Sequence, residues 1–168
     1  MNIKELLSRY AVGQRDFKEL NLIAVRLNNA NLSYANLSGA NLSGANLSQA
    51  NLSQVNLSYA CLNSAKLNGS NLTNADLRQA VLKKINLSYA TLCGADFHNA
   101  NLEDVDFRGA NLTGANFTEA NLTGANFSEA NLTNVNLTKA ILGDVNLSQV
   151  YLRGAIMPDG TIHSYASR

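Results

Sequence analysis

Leu or Phe stands at every fifth position from Phe17 to Leu152, 28 consecutive frames without a shift of phase, and Met157 extends the series by one more. Two places before these the residue is almost always small or β-branched apolar, as at Ala30, Ala35, Ala40, Val55, Ala60, Ile85, Val105 and Val145, with Ser70 the main polar exception. The residue between them is usually Asn or Asp, and Ser, Thr and Gly fill much of the rest. Five residues advance an α-helix by about 500°, so this set cannot hold one helical face. In one straight strand five residues reverse the face, and successive Leu would alternate between core and water. The inward residues are spaced 2, 3, 2, 3. A spacing of two fits a very short strand, and the next three residues must turn the chain with the turn formers Asn, Ser and Gly. A chain that bends at every repeat coils into a solenoid.

The frames Ala30-Asn31-Leu32-Ser33-Tyr34 and Ala110-Asn111-Leu112-Thr113-Gly114 resemble the A(N/D)LxX signature of the pentapeptide-repeat family. The likeness covers about residues 15–157. The opening Glu5-Leu6-Leu7-Ser8-Arg9-Tyr10-Ala11, with Arg15-Asp16-Phe17, and the ending Gly154-Ala155-Ile156-Met157-Pro158-Asp159-Gly160 are similar to cyanobacterial members. The resemblance implies an all-β fold, a right-handed quadrilateral parallel β-helix with four frames and about 20 residues per coil. The usual crossover hand agrees.

On that basis the chain divides into an N-terminal cap (1–14), a β-helix (15–157) of about seven coils, and a C-terminal tail (158–168). Parallel strands roughly 4.8 Å apart give a rod roughly 34 Å long. Asn2 and Glu5 have capping-box-like spacing, and Ile3, Leu6, Leu7 and Tyr10 recur at helical intervals, so residues 2–10 are expected to form a short helix that plugs the first coil. Phe97 should stack under Phe117, and Phe107 under Phe127 on the opposite side. Pro158 is expected to remove a ladder donor and stop the sheet, leaving that end less well covered.

Positions 20 residues apart form columns, and a site would appear there. Asp76 and Asp96 fall one coil apart and could share a proton or act on a glycoside. Asn and Asp interchange in this column, however, and we read the pair as ordinary repeat side chains. His98 shares its column with Arg78, and His163 lies in the tail; neither has a ligand set around it. Cys61 and Cys93 are on different faces, too far apart for an unstrained disulfide, and no base accompanies either thiol. Lys83 and Lys84 lie one coil below Glu103 and Asp104, and Glu119 below Lys139, as modest ladder pairs. Tyr34, Tyr59 and Tyr89 fall on three sides and make no stacking platform for single-stranded nucleic acid. No catalytic, cofactor-binding or metal-ligating residue is assigned.

The formal charge of +1 carries neither a polybasic patch nor an acidic tail, although residues 1–94 sum to +5 and residues 95–145 to −5. Such a field could orient a partner or favour head-to-tail association. No apolar run approaches a membrane span, and Met1 to Gly13 lacks a signal-peptide core, so a cytoplasmic protein is expected. The resemblance also implies a second function, because some family members linked to quinolone resistance mimic DNA and bind gyrase. That mechanism needs a strongly negative surface, which +1 opposes. Ser33, Ser53, Thr73, Thr113 and Thr133 form a hydroxyl column like that of an ice-binding solenoid, but Cys93 interrupts it. The expected function is a non-enzymatic structural or protein-interaction module without a cofactor. Its partner is a protein rather than nucleic acid or a membrane, with the chain monomeric or weakly associated end to end.

Overall fold

The computed structural model describes residues 2–164; the expectations for Met1 and for residues 165–168 of the tail lie outside the described residues. From Asp16 to Ile156 the chain winds as a right-handed quadrilateral β-helix. Each strand is so short that it contributes one parallel bridge per coil, always between residues 20 apart, such as Asn31 with Asn51 and Asn51 with Asn71. We number the four faces by their first axial residue: face 1 begins at Phe17, face 2 at Leu22, face 3 at Leu27 and face 4 at Leu32.

The axis is dry. Every axial Leu or Phe from Phe17 to Leu137 is buried, and the Ala, Val and Ile two places before them fill the sides. Leu72 and Leu92 are both fully buried. Complete burial of one such side chain contributes about 1.5–3 kcal/mol. The four C-terminal phenyl rings interleave as expected. Phe97 stacks on Phe117 (4.8 Å between centroids, 4° between planes) and Phe107 on Phe127 (5.1 Å, 15°). Edge contacts of 5.8–6.4 Å join the two stacks across the axis. These orientations suit the ring quadrupoles and add about 0.5–1.5 kcal/mol per pair to burial.

The backbone explains the five-residue composition. In the frame Ala50–Gln54, the Ala50 N–H closes a turn onto Leu47 O (3.0 Å), and the Asn51 N–H reaches back one coil to Ala30 O (2.9 Å). The Leu52 and Gln54 N–H groups reach forward one coil to Asn71 O (2.7 Å) and Thr73 O (2.9 Å). The Ser53 N–H can reach neither neighbouring coil, and its partner is Asn51 Oδ1 at 3.1 Å. From Asn21 to Asn146 every Asn or Asp at this place accepts the N–H two residues on. The Asn/Asp column therefore completes the backbone hydrogen bonding rather than merely favouring turns.

From Glu19 to Lys139 each corner closes with a left-handed residue at the fourth place after the apolar side-chain position. Glycine fills some of these sites, but Ala24 (φ 54°), Tyr59 (φ 60°) and Lys84 (φ 56°) hold the same conformation. Positive φ at the third turn residue, with the bond from the fourth N–H to the first carbonyl, is the type II pattern.

Helix α1 (Ile3–Ala11) plugs the N-terminal end, one residue beyond the expected 2–10. Asn2 Oδ1 accepts the Glu5 N–H at 2.8 Å, and Leu6 is fully buried against the first coil. Tyr10 donates to Ser33 O (3.0 Å), and the Arg15 guanidinium lies over its ring at 3.9 Å. Among the described residues no helix is long and apolar enough to cross a membrane.

The role expected of Pro158 is corrected. Its place in the frame is the one whose N–H never enters the ladder, so proline removes no ladder donor, and its carbonyl still accepts Lys139 N–H at 2.9 Å. Pro158-Asp159-Gly160 instead forms a three-residue hairpin loop, with Met157 N–H on Thr161 O (2.8 Å) and Gly160 left-handed at φ 84°. The chain folds back so that Ile162 pairs antiparallel with Ile156 and covers the last edge of face 1.

Gly114 (φ 69°) has open space where a Cβ would go, so Gly114→Ala tests the corner strain alone and should cost about 1 kcal/mol. Ala24→Gly should be neutral or stabilising by up to about 0.5 kcal/mol, because relief of strain is offset by a freer unfolded chain. Asn71 accepts both the N–H and the hydroxyl of Thr73 at 3.0 and 2.7 Å. Asn71→Ala should cost about 1–2 kcal/mol, whereas Asn71→Asp keeps the acceptor and should stay within about 0.5 kcal/mol. Urea midpoints at constant slope measure all four.

Candidate interaction surface

The outward side chains of each face form ladders set by the 20-residue coil. On face 4, from Asn31 to Asn134, no outward residue is charged. Its hydroxyls do not point freely to solvent. Those of Ser33, Ser53, Thr73 and Thr113 donate to Asn31, Asn51, Asn71 and Asn111 at 2.7–2.9 Å. These four hydroxyls are thus spent on their own turns.

Charged side chains occupy the other three faces in compact groups. On face 1 Asp76 and Asp96 are bridge partners, as the spacing predicts. The Arg78 guanidinium stands against both, 2.7 Å from Asp76 and 3.8 Å from Asp96. Asp96 also accepts from Asn116 Nδ2 (2.9 Å) and from the His98 backbone N–H (3.0 Å). Hydrogen bonding from Arg78 holds the Asp76 carboxyl below the usual range against the opposing effect of burial. A proton-sharing pair needs two carboxylates without a cation between them, and Arg78 removes that condition. Asp106 on face 3 is lowered in the same way by Arg108, at 2.8 Å.

Face 2 carries Lys83 bonded to Glu103 at 2.7 Å, which lowers the Glu103 pKa. The pairing of Lys84 with Asp104 does not form; the Asp104 carboxylate lies instead over Gly124 of the next coil. Lys139 meets Glu119 on face 1 at 3.2 Å. Cys61 and Cys93 are both free and half-buried, with Cys61 Sγ 3.2 Å from Ser43 Oγ. Tyr34 accepts from Gln54 (2.9 Å), and the exposed Tyr89 ring covers Gly109. Among the described residues no three His, Cys, Asp or Glu side chains come together as a metal site.

Two surface features were not evident from the repeat. A hollow of about 590 Å³ lies on the corner between faces 2 and 3, bordered by Arg26, Asn46 and Lys66 of one column and by Ala24 and Gly44, which add little side chain beside them. The signal was available, since Arg26 and Lys66 replace Asn in one column. A second cleft, of about 340 Å³, opens on face 3 beside Ala125–Ser128 where the ladder is interrupted.

The model of the family described as Pentapeptide repeats matches eight copies, over residues 21–58, 35–74, 60–99, 70–109, 100–138 and 130–159. No curated protein matches the chain. Among solved structures, HetL, a pentapeptide repeat protein involved in heterocyst differentiation regulation from the cyanobacterium Nostoc sp. strain PCC 7120, is 29% identical, with 97% of this chain and 100% of that one covered and a TM-score of 0.32. Rfr23 from the cyanobacterium Cyanothece 51142 is 26% identical over 89% and 95% of the two chains, with a TM-score of 0.47. QnrB1, a plasmid-mediated fluoroquinolone resistance protein, is 22% identical over 86% and 82%; its TM-score of 0.58 supports the common fold. With the repeat matched along most of its length and the coil geometry in place, this chain belongs to the pentapeptide-repeat family.

Proposed function

We propose that the chain is a non-catalytic interaction module whose rigid faces dock a partner protein in the cytoplasm. The observation that carries this reading is where the polar groups go. Asn and Asp side chains accept from their own frame, many Ser and Thr hydroxyls donate to those same acceptors, and Leu and Phe fill the interior. Catalysis needs a concave site with convergent polar groups that are free to act. A surface already fixed by its own hydrogen bonds instead loses little entropy on docking. The uncharged face 4 offers a flat contact, while the change from +5 to −5 along the chain supplies a field that orients a protein partner.

The net charge of +1 speaks against the DNA-mimicking alternative, which needs dense negative charge. Purified protein added to gyrase at stoichiometric concentration is expected to leave supercoiling unchanged; inhibition would move the reading to DNA mimicry. In affinity capture from the source cell, a partner protein should be retained by the native chain. Its retention should fall about tenfold or more when Asp104, Glu129 and Asp144 are changed to Lys. Equal retention by a variant of unchanged melting temperature would remove the orienting role of charge.

A further inference from the structure

The ladder is broken at one place in the last coil. On either side it is intact: Leu122 N–H bonds Ile141 O and Leu132 N–H bonds Tyr151 O, both at 2.8 Å. Between them, Asn126 and Asn146 form no bridge. The N–H groups of Gly124, Phe127 and Glu129 and the carbonyl of Ala125 make no hydrogen bond. By the 20-residue rule their partners are Gly143 O, Asn146 O, Ser148 O and the Asn146 N–H, and these are also unbonded. Leu147 is only half-buried, and the cleft of about 340 Å³ lies between the two segments, lined by Ala125, Phe127, Asp144, Asn146 and Ser148.

The cause is local. The turn Leu142–Val145 still closes, with Val145 N–H on Leu142 O at 3.1 Å, but its left-handed residue is Gly143 (φ 52°) rather than Asp144. Positive φ at the first central residue is the type II′ pattern, which turns the central peptide over and sends the chain away from the coil below. Gly143 is the only glycine at this place in any frame, and Ile141 gives its N–H no side-chain acceptor. The segment that leaves, Val145-Asn146-Leu147-Ser148-Gln149, is nevertheless a complete frame, with its own bond from Ser148 N–H to Asn146 Oδ1 at 2.9 Å.

We propose that residues 143–149 are a hinged strap that moves between this lifted position and a docked one. In the docked position the 143–144 turn is type II and the strap pairs in register with residues 124–129. Docking requires inversion of the Gly143–Asp144 peptide, with Asp144 taking the left-handed conformation that Asp104 holds in the same column (φ 57°), and a matching left-handed turn at Gln149, which lacks positive φ in the lifted position. Lifted, the strap bares the edge of 124–129, with donors at Phe127 and Glu129 spaced as an extended peptide requires. Docked, it covers that edge.

Amide hydrogen exchange on the full chain tests it, with Phe107 and Gly109, bonded to Asn126 O and Ser128 O at 2.9 Å, as internal references. In the native chain Phe127 and Glu129 should exchange about 100-fold or more faster than the references, and relaxation dispersion should report exchange at both. Gly143→Pro excludes positive φ at 143 and removes an N–H that has no acceptor; Asp144→Gly eases positive φ at 144. Either variant should slow Phe127 and Glu129 about tenfold or more and extinguish the dispersion. Native amides as slow as Phe107, flat dispersion in the native chain, or folded variants with unchanged exchange would each overturn the proposal.

Discussion

The bond from the Asn side chain to the N–H two residues on is the constraint around which this structure is arranged. A square coil with five residues per side can give four of its five N–H groups to the turn and to the neighbouring coils. The fifth faces outward at the corner, and leaving one such group unpaired on every side would weaken the ladder along the whole rod. Asn or Asp immediately before the axial residue supplies the acceptor from within the frame. Once this is in place each frame is complete in itself, and coils can be added without altering those below.

The second constraint is the left-handed corner. Glycine would relieve it at every turn, yet Tyr34, Gln54, Lys84 and Glu119 also accept it, each at φ 55–60°. The cost is tolerated because bonds on both sides of the corner hold the same geometry. Loss of the side-chain acceptor alone leaves the corner unchanged: Cys61, Lys66 and Thr91 replace Asn, yet Ser64, Gly69 and Gly94 stay left-handed. Only where Ile141 is followed by Gly143 does positive φ move to the earlier turn residue, and there the next side of the square lifts away.

This contrast explains how much could be read from the sequence. The period alone excluded long helices and long strands, and the family likeness then supplied the 20-residue coil that placed Phe97 over Phe117. The N-terminal plug was legible because Asn2, Glu5 and Leu6 follow helix rules that need no knowledge of the solenoid. Pro158 departs from the general rule about proline in sheets because its place in the frame is the one whose N–H never enters the ladder. The break at 143–149 was visible only as two departures from pattern, Ile141 and Gly143, whose joint effect depends on turn type. The Arg78 group followed the same logic: the column placed Asp76 beside Asp96, but it took side-chain geometry to put the guanidinium against both.

A solenoid this regular also bears on where recognition can arise. Along the body of the rod the same amide and hydroxyl groups recur at each coil, engaged with their own backbone, so one level is barely distinguishable from the next. Specific recognition needs features that occur once. Here those are the charged groups around Arg78, Lys83 and Arg108, the hollow between Arg26 and Lys66, and the interrupted ladder beside Phe127. The repeat provides rigidity and spacing, and the departures from it provide identity. For a fold whose interior is fully occupied by Leu, Phe and Ala, function must then be sought in the positions where the pattern is broken rather than in those where it is kept.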